Sequence, residues 1–255
     1  MVGMIREAIL ERHQEPRQEP RQEILRAAAR LFQQQGYDAT SMNDVAAALK
    51  LSKGGLYHHF QSKDEILFHI MSHAMDITEK RVINVVRRID GTSVPGARAD
   101  IARADIARVD IARADISEER LRTLIRLHIQ LVLSPEDREI TVMLHENHPL
   151  PPALRRKINA RKKDYLHFVE HLIADVQRDV QRDVQRDVQR DAQRDVQRDA
   201  QRQRSSPSSV TPRAAALALV GMINWIYQWY KPEGPLTGEA LVQQYTDIFF
   251  RGAVG

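Results

Sequence analysis

The sequence predicts an all-α chain, and three observations carry that expectation. Ala, Leu, Arg and Gln are abundant while aromatics make up only 5% of the residues, a balance that favours helix. Helix-start signals recur along the chain, each followed by apolar residues at 3.6-residue spacing. No strong run of alternating β-branched or aromatic residues reads as a strand.

The 255 residues suit one large or two modest domains. No window is long and apolar enough for a membrane span, and the N-terminus lacks the apolar stretch of a signal peptide. The absence of cysteine excludes disulfides and cysteine-ligated metals and fits a cytoplasmic location. The net charge of +4 is modest, so any nucleic-acid contact must rest on local placement of cations.

Residues 1–19 read as a solvated arm in which a small repeat, HQEP, RQEP, RQEI at 13–24, begins, and Pro16 and Pro20 stop any long helix. A functional alternative lets Arg17 and Arg21 reach DNA. The first helix is expected over Pro20–Gln35. Proline suits its first turn and Gly36 its stop. Ile24, Leu25, Ala28, Leu31 and Phe32 form its packing face.

Two short helices and a tight turn follow. Ser41 and Asp44 have the spacing of a helix start, with Thr40 as the competing cap. Met42, Val45, Ala46 and Leu49 share one face. Ser52 caps a second helix on which Leu56 and Phe60 lie one turn apart. Ser62 and Glu65 form a capping box for a third helix. That is the pattern of a helix-turn-helix, whose second helix enters the DNA major groove. The second helix offers Lys53, Gly54, Gly55, Tyr57, His58 and His59. Glycines are poor helix formers by about 1 kcal/mol each, but a helix start without side chains lets a phosphate or base edge approach the backbone.

The residues Thr40, Val45, Ala46, Ser52, Gly54, Leu56, Tyr57, His59, Phe60, Lys63 and Leu67 together resemble the DNA-binding domain of the TetR family of bacterial transcriptional regulators. The resemblance covers residues 20–67. It implies that Lys53, Gly54, Tyr57 and His58 face bases, that Thr40, Ser41 and Lys63 meet phosphates, and that Ser52, Gly55 and His59 belong to the same surface. The sequence departs from the family at the turn, where Lys50 stands in place of the common glycine. A lysine in left-handed conformation costs about 1 kcal/mol.

The helix from Ser62 is expected to run to about Ile89, with Ile66, Ile70, Ala74 and Ile77 in one stripe. Residues 97–116 are four copies of a pentapeptide such as ARADI, and residues 175–202 are seven copies of DVQR or DAQR. Such short units cannot bury a face as a solenoid repeat does. A four-residue period drifts about 40° per unit around a helix. Asp and Arg at i, i+3 support exposed helix by a few tenths of a kcal/mol per pair. Both segments read as charge-balanced insertions of solvated helix or frayed chain, with a coiled-coil partner site as the sharper alternative.

Between the repeats, Glu118–Leu133 is amphipathic through Leu121, Leu124, Ile125, His128 and Val132. Ser134-Pro135-Glu136-Asp137 reads as a helix start, with that helix ending near Pro149. Another helix runs from Pro152 into the second repeat. It buries Ile158, Tyr165, Phe168 and Leu172 and carries the basic cluster Arg155, Arg156, Lys157, Arg161, Lys162 and Lys163. The segment Arg213–Tyr230 is apolar almost all round, as in a helix buried on several sides, and Glu239–Phe250 forms the last helix. His145, Glu146 and His148 have the wrong spacing for the H-E-x-x-H zinc motif, and no P-loop, dinucleotide fingerprint or nucleophile elbow occurs. No metal, cofactor or catalytic residue is expected.

The TetR resemblance extends, more loosely, to the C-terminal stretch GMINWIYQWYKPEGPLT. There it is similar to the branch that responds to acyl-CoA thioesters. It implies residues 68–255 as a helical ligand-binding and dimerisation domain. Met143, Arg161, Tyr165, Phe168, Met222 and Trp225 are then candidates for the effector site. Leu219, Ile223, Tyr227, Tyr245, Ile248 and Phe249 are candidates for a homodimer interface. The expected function is a ligand-responsive repressor released from a palindromic double-stranded operator by a small apolar or acyl-CoA effector. The alternatives are a drug-efflux regulator binding cationic or aromatic compounds and, more remotely, a helical scaffold with no operator.

Overall fold

The computed structural model describes residues 20–89, 106–145, 150–194 and 210–254. They divide into two compact units, one ending at Ile70 and the other beginning at Met71. Among the described residues every regular element is helical.

The first unit contains α1 (Pro20–Gln35), α2 (Met42–Ala48), α3 (Lys53–His59) and the start of α4 (Lys63–Thr78). Helix α1 stops at Gly36, whose φ of +84° is one that glycine adopts without strain, and the Gly36 N–H returns to the Phe32 carbonyl at 2.9 Å. Ile24, Ala28 and Phe32 are buried as expected, but Ala27 and Ala29 fill the rest of the interface and Leu25 and Leu31 are only half-buried. Small side chains let neighbouring helices approach closely, which periodicity alone does not signal. Val45, Ala46, Leu56, Phe60, Ile66 and Ile70 complete this core.

Ser41 caps α2 with a full capping box. Its Oγ accepts from the Asp44 N–H, and the Asp44 carboxylate accepts from the Ser41 N–H at 2.8 Å. The Ser41 hydroxyl, which also donates to that carboxylate at 2.7 Å, and then the Ser41 N–H hold the Asp44 carboxyl below its usual range. After α2 the Lys50 N–H bonds the Ala47 carbonyl at 3.1 Å and the Leu51 N–H bonds the Ala46 carbonyl at 2.9 Å. That pair is a Schellman turn, with Lys50 as its left-handed residue at φ +56°. The departure from glycine thus leaves the turn geometry intact. Ser52 caps α3 by accepting from Gly55 N–H at 3.0 Å. At α4 the Ser62 hydroxyl accepts from Glu65 N–H at 3.1 Å, but the Glu65 carboxylate turns back to the Gln61 N–H at 2.8 Å instead of closing a box on Ser62.

The second unit contains the rest of α4, a π-helical stretch Glu79–Ile83, α5 (Asn84–Arg87), α6 (Ile106–Leu133), α7 (Arg138–His145), α8 (Pro152–Arg194), α9 (Pro212–Asn224), α10 (Ile226–Trp229) and α11 (Gly238–Phe249), closed by a π-turn Phe250–Val254. The expected helix to Ile89 therefore carries a wide turn within it. The core runs through Val82, Val86, Leu124, Ile125, Ile129, Val169, Leu172, Ile173, Leu219, Ile223 and Phe249. Arg120 closes the end of α5 by donating to the Ile89 carbonyl at 3.0 and 2.8 Å.

Three expectations change here. Helix α6 begins inside the pentapeptide repeat, so the second half of that repeat continues into the core helix. Helix α7 begins at Arg138, not Ser134, because Asp137 ends a turn closed on the Ser134 carbonyl and its buried carboxylate receives Arg81. The first copy of the tetrapeptide is not solvated: Val176 is 4% exposed, and Gln177 donates to the Val210 carbonyl at 3.1 Å. In the next two copies Asp179 is still buried, while Val180 is 37% and Val184 46% exposed. Aspartate–arginine pairs at i, i+3 join Asp175 to Arg178, Asp179 to Arg182 and Asp183 to Arg186, as the repeat pattern predicts.

The C-terminal apolar segment is two helices. Thr211 caps α9 with Pro212 in the first turn, and the chain breaks at Trp225. Thr237 caps α11 by accepting from Ala240 N–H at 3.1 Å. Residues 1–19, including Arg17, and Glu146 and His148 lie outside the described residues.

Candidate functional site

Helix α3 presents one face outward because Leu56 and Phe60, one turn apart, anchor the other. Lys53, Gly54 and His58 are exposed, and Gly55, Tyr57 and His59 are half-buried. The Lys53 ammonium lies 5.8 Å from the centre of the Tyr57 ring, and the His58 and His59 rings meet edge-on at 5.3 Å. A Cβ added at Gly54 would meet nothing within 4 Å, whereas one at Gly55 would lie 3.3 Å from the Ser52 hydroxyl. Packing within this chain therefore does not require glycine at position 54. The bare backbone faces outward at a helix start that already points N–H groups away from the core.

Three residues expected on phosphates or DNA serve the fold of their own unit. Thr40 is 1% exposed, and its hydroxyl donates to the Gly36 carbonyl at 2.8 Å while accepting from Gln35. The Lys63 ammonium donates to the Tyr37 carbonyl at 2.7 Å and sits 4.2 Å from the centre of that ring. Arg21 lies over the Phe60 ring at 4.5 Å and donates to the His69 imidazole at 2.9 Å. Desolvation, then Arg21, lowers the His69 pKa, which fits a neutral acceptor ring. Ser41 and Ser52 are exposed caps.

The second unit holds a cavity of about 350 Å³ between α4, α6, α7, α8 and α9. Its wall is mostly apolar: Met75, Leu131, Ile140, Met143, Leu144, Leu166, Leu217 and Val220. One part is polar. Tyr165 Oη and His128 Nδ1 are 2.9 Å apart, and His128 Nε2 and Asn224 Oδ1 are 3.1 Å apart. His128 is buried with no carboxylate beside it among the described residues, and desolvation pushes its pKa down to about 4. The same burial pushes the Tyr165 phenol upward. Both groups are therefore neutral near neutral pH. Lys162 lines the exposed rim, where partial desolvation lowers its pKa.

Of the six residues expected at an effector site, Met143 and Tyr165 line this cavity. The other four do not. Arg161 donates to the Ser72 carbonyl at 3.0 Å and pairs with Asp76 at 2.7 Å. Phe168 lies under Arg87 at 5.3 Å. Met222 is half-buried elsewhere, and Trp225 is 62% exposed. His128 and Asn224 also line the cavity without having been expected there, because a histidine on an apolar helix face gives no sign of its partners in the sequence.

The expected interface residues also separate. Leu219, Ile223 and Phe249 are core residues of their own unit, 0–3% exposed. Tyr227 and Tyr245 are half-buried. Ile248 is 58% exposed, and on the neighbouring C-terminal helical segment Trp225 is 62% and Trp229 44% exposed. The helices were legible in the sequence; which of their faces turns inward was not.

A capped, glycine-opened second helix on a compact three-helix core defines a helix-turn-helix DNA-binding protein. Comparison with known proteins places it further. Residues 24–70 match the model for bacterial regulatory proteins of the tetR family, and residues 114–190 and 182–253 match the tetracyclin repressor-like C-terminal domain. The chain belongs to the TetR family. The two C-terminal matches overlap at 182–190, inside the tetrapeptide repeat, as duplicated sequence would produce. The crystal structure of AibR in complex with isovaleryl coenzyme A and operator DNA is similar at 31% identity and a TM-score of 0.65, covering 91% of this chain and 98% of AibR. The HTH-type regulator HbdR of Aromatoleum sp. (strain CIB) is 36% identical over 76 residues, 30% of this chain and 32% of HbdR. YuxN of Bacillus subtilis (strain 168), an uncharacterized HTH-type regulator, is 36% identical over 67 residues, 26% of this chain and 23% of YuxN. The chain thus spans about a quarter to a third of the length of these curated relatives. Among the described residues no group of metal-ligating side chains occurs, and no helix is long and apolar enough to cross a membrane.

Proposed function

We propose that the protein is a transcriptional repressor that binds a palindromic double-stranded operator as a homodimer and releases it when a small apolar or acyl-CoA effector enters the second unit. It performs no catalysis and works in the cytoplasm. Lys53, Gly54, Tyr57 and His58 read bases, while the Ser41 and Ser52 caps and the start of α3 sit against phosphates. Trp225, Trp229 and Ile248 are covered by a second copy, which brings two recognition helices to two half-sites about one DNA turn apart.

The single observation that carries this reading is the cavity: apolar walls with one neutral polar group of side chains, and a cation at the rim. That suits an acyl chain inside with an anionic carrier outside. The likeness to AibR, solved with isovaleryl coenzyme A and operator DNA, supports the same class. A cationic drug fits less well, because among the described residues no acidic side chain lines the cavity and Lys162 would repel the ligand at its rim.

Linkage then makes the two ligands oppose each other by the same factor, typically about 5–150-fold. The test has two stages. Genomic fragments retained by the pure protein are sequenced to find the operator. Release of that operator is then titrated with acyl-CoAs of several chain lengths, free acids and cationic dyes. Release by acyl-CoAs is expected. Release by dyes, with none by any acyl-CoA, would overturn the effector class.

A further inference from the structure

The Tyr165–His128–Asn224 chain has a property that its residue types impose. A neutral imidazole carries one donor and one acceptor. If His128 donates through Nε2 to Asn224 Oδ1, Tyr165 donates to Nδ1, and the Asn224 amide N–H groups are left over. If the chain runs the other way, with the Asn224 amide turned over, Asn224 donates to Nε2, His128 donates to Tyr165, and the phenol O–H is left over. Either direction leaves a surplus donor on a residue that lines the cavity. Asn224 Nδ2 has no protein partner among the described residues. Neither direction supplies a positive charge, since burial holds His128 neutral.

We infer that Asn224 and Tyr165, oriented through His128, form a reader for a neutral carbonyl oxygen and select thioester, ester, ketone or amide ligands over the corresponding carboxylates. A carbonyl oxygen needs one or two donors and no counter-charge. A carboxylate placed there would be desolvated without a cation beside it, which is strongly unfavourable. Lys162 at the rim suits an anionic group that stays outside, such as a phosphate of the carrier, and not one buried at the reader. His128 acts as a positioning residue that couples the two donors; it need not touch the ligand. This inference rests on the cavity being the effector site.

The experiment separates the oxygen from the rest of the ligand. Isovaleryl-CoA and S-isopentyl-CoA share one skeleton, but the thioether lacks the carbonyl oxygen. Full-length wild-type protein, titrated calorimetrically, is expected to bind the thioester about tenfold more tightly, the scale of one buried hydrogen bond whose loss leaves a donor unpaired. The double variant Asn224→Leu/Tyr165→Phe brings the ratio near one, and the single variants show which donor is in use. Equal affinity of wild type for thioester and thioether, or an unchanged ratio in a folded double variant, overturns the reader.

A second arm does not depend on CoA. Imidazole ¹⁵N spectra of His128 are followed with methyl isobutyl ketone and with isovalerate at matched concentrations. The ketone is expected to shift the His128 signals and the carboxylate to leave them unchanged. If no CoA compound binds but the ketone still shifts His128, the acyl-CoA proposal fails while the reader stands. If isovalerate shifts His128 as much as the ketone does, or the ketone has no effect, the reader is wrong.

Discussion

Acidification should weaken the 71–255 unit through His128. The imidazole pKa falls from 6.5 to about 4 on folding, because burial disfavours the charged ring. Below pH 6.5 the unfolded chain therefore binds a proton that the folded chain refuses. Stability is intact above that pH and falls as pH drops toward the folded value. Integrating between those two pKa values gives a loss of about 2 kcal/mol from pH 7 to pH 5, approaching about 3 kcal/mol near pH 4. Asp44 titrates lower and lies in the other unit, so it does not contribute in this window. His69 is lowered too but also lies in the first unit, and both tryptophans, Trp225 and Trp229, are in the second. Urea unfolding followed by tryptophan fluorescence, at fixed protein concentration and at pH 7, 6 and 5, isolates the effect. In His128→Gln, which keeps a hydrogen-bonding side chain but cannot titrate, the pH 7 to pH 5 loss should shrink by about 2 kcal/mol. An equal loss in wild type and variant would show that His128 is not the buried neutral group described.

Four shorter predictions follow from other parts of the molecule. Tyr57→Ala should change which operator variants are preferred, and Lys53→Ala should reduce the salt dependence of binding, both read by fluorescence anisotropy; unchanged affinity and preference in both would remove α3 from the groove. Lys50→Gly relieves a left-handed lysine worth about 1 kcal/mol but loosens the unfolded chain by about 0.4–1 kcal/mol, so a net gain of no more than about 0.6 kcal/mol is expected in denaturant unfolding. Val176→Ala should cost about 1–3 kcal/mol and Val184→Ala less than about 0.5 kcal/mol, although both valines occupy the same place in the same repeat. Arg161→Ala should lower thermal stability while leaving the ratio of acyl-CoA to free-acid affinity unchanged, because its guanidinium is held by Asp76 and the Ser72 carbonyl; a selective loss of acyl-CoA binding would restore it to the ligand site.

Local chemistry was readable where a residue acts on its own backbone. Ser41, Ser52 and Gly36 announced their helix ends, and the left-handed position of Lys50 followed from the family resemblance at the turn. Reading failed where the answer depends on what lies across the core. Leu219 and Ile248 are both apolar residues on C-terminal helices, yet one is sealed inside its own unit and the other is open. Lys63 and Arg161 carried charges that suggested phosphates, and nothing in the sequence signalled that each also donates to a backbone carbonyl close in space. The polar part of the cavity joins residues 128, 165 and 224 from three helices. No spacing in the sequence connects them, because the long repeat between the last two obscures any pattern of separation.

The tetrapeptide has a consequence for how this chain can vary between lineages. Among the described residues the copy that begins at Asp175 packs on the core through Val176 and Gln177, with Asp179 at the next junction also buried and Val180 and Val184 exposed. The three copies after it have the same sequence. Loss or gain of one of these units by slippage during replication therefore leaves Asp-Val-Gln-Arg standing at 175–178 and preserves the reading frame. The shift of about 40° per unit falls on the downstream part of the helix, beyond the packed turn. Copy number can drift among close relatives while the buried turn keeps its identity, much as a belt changes length at its free end without moving its buckle.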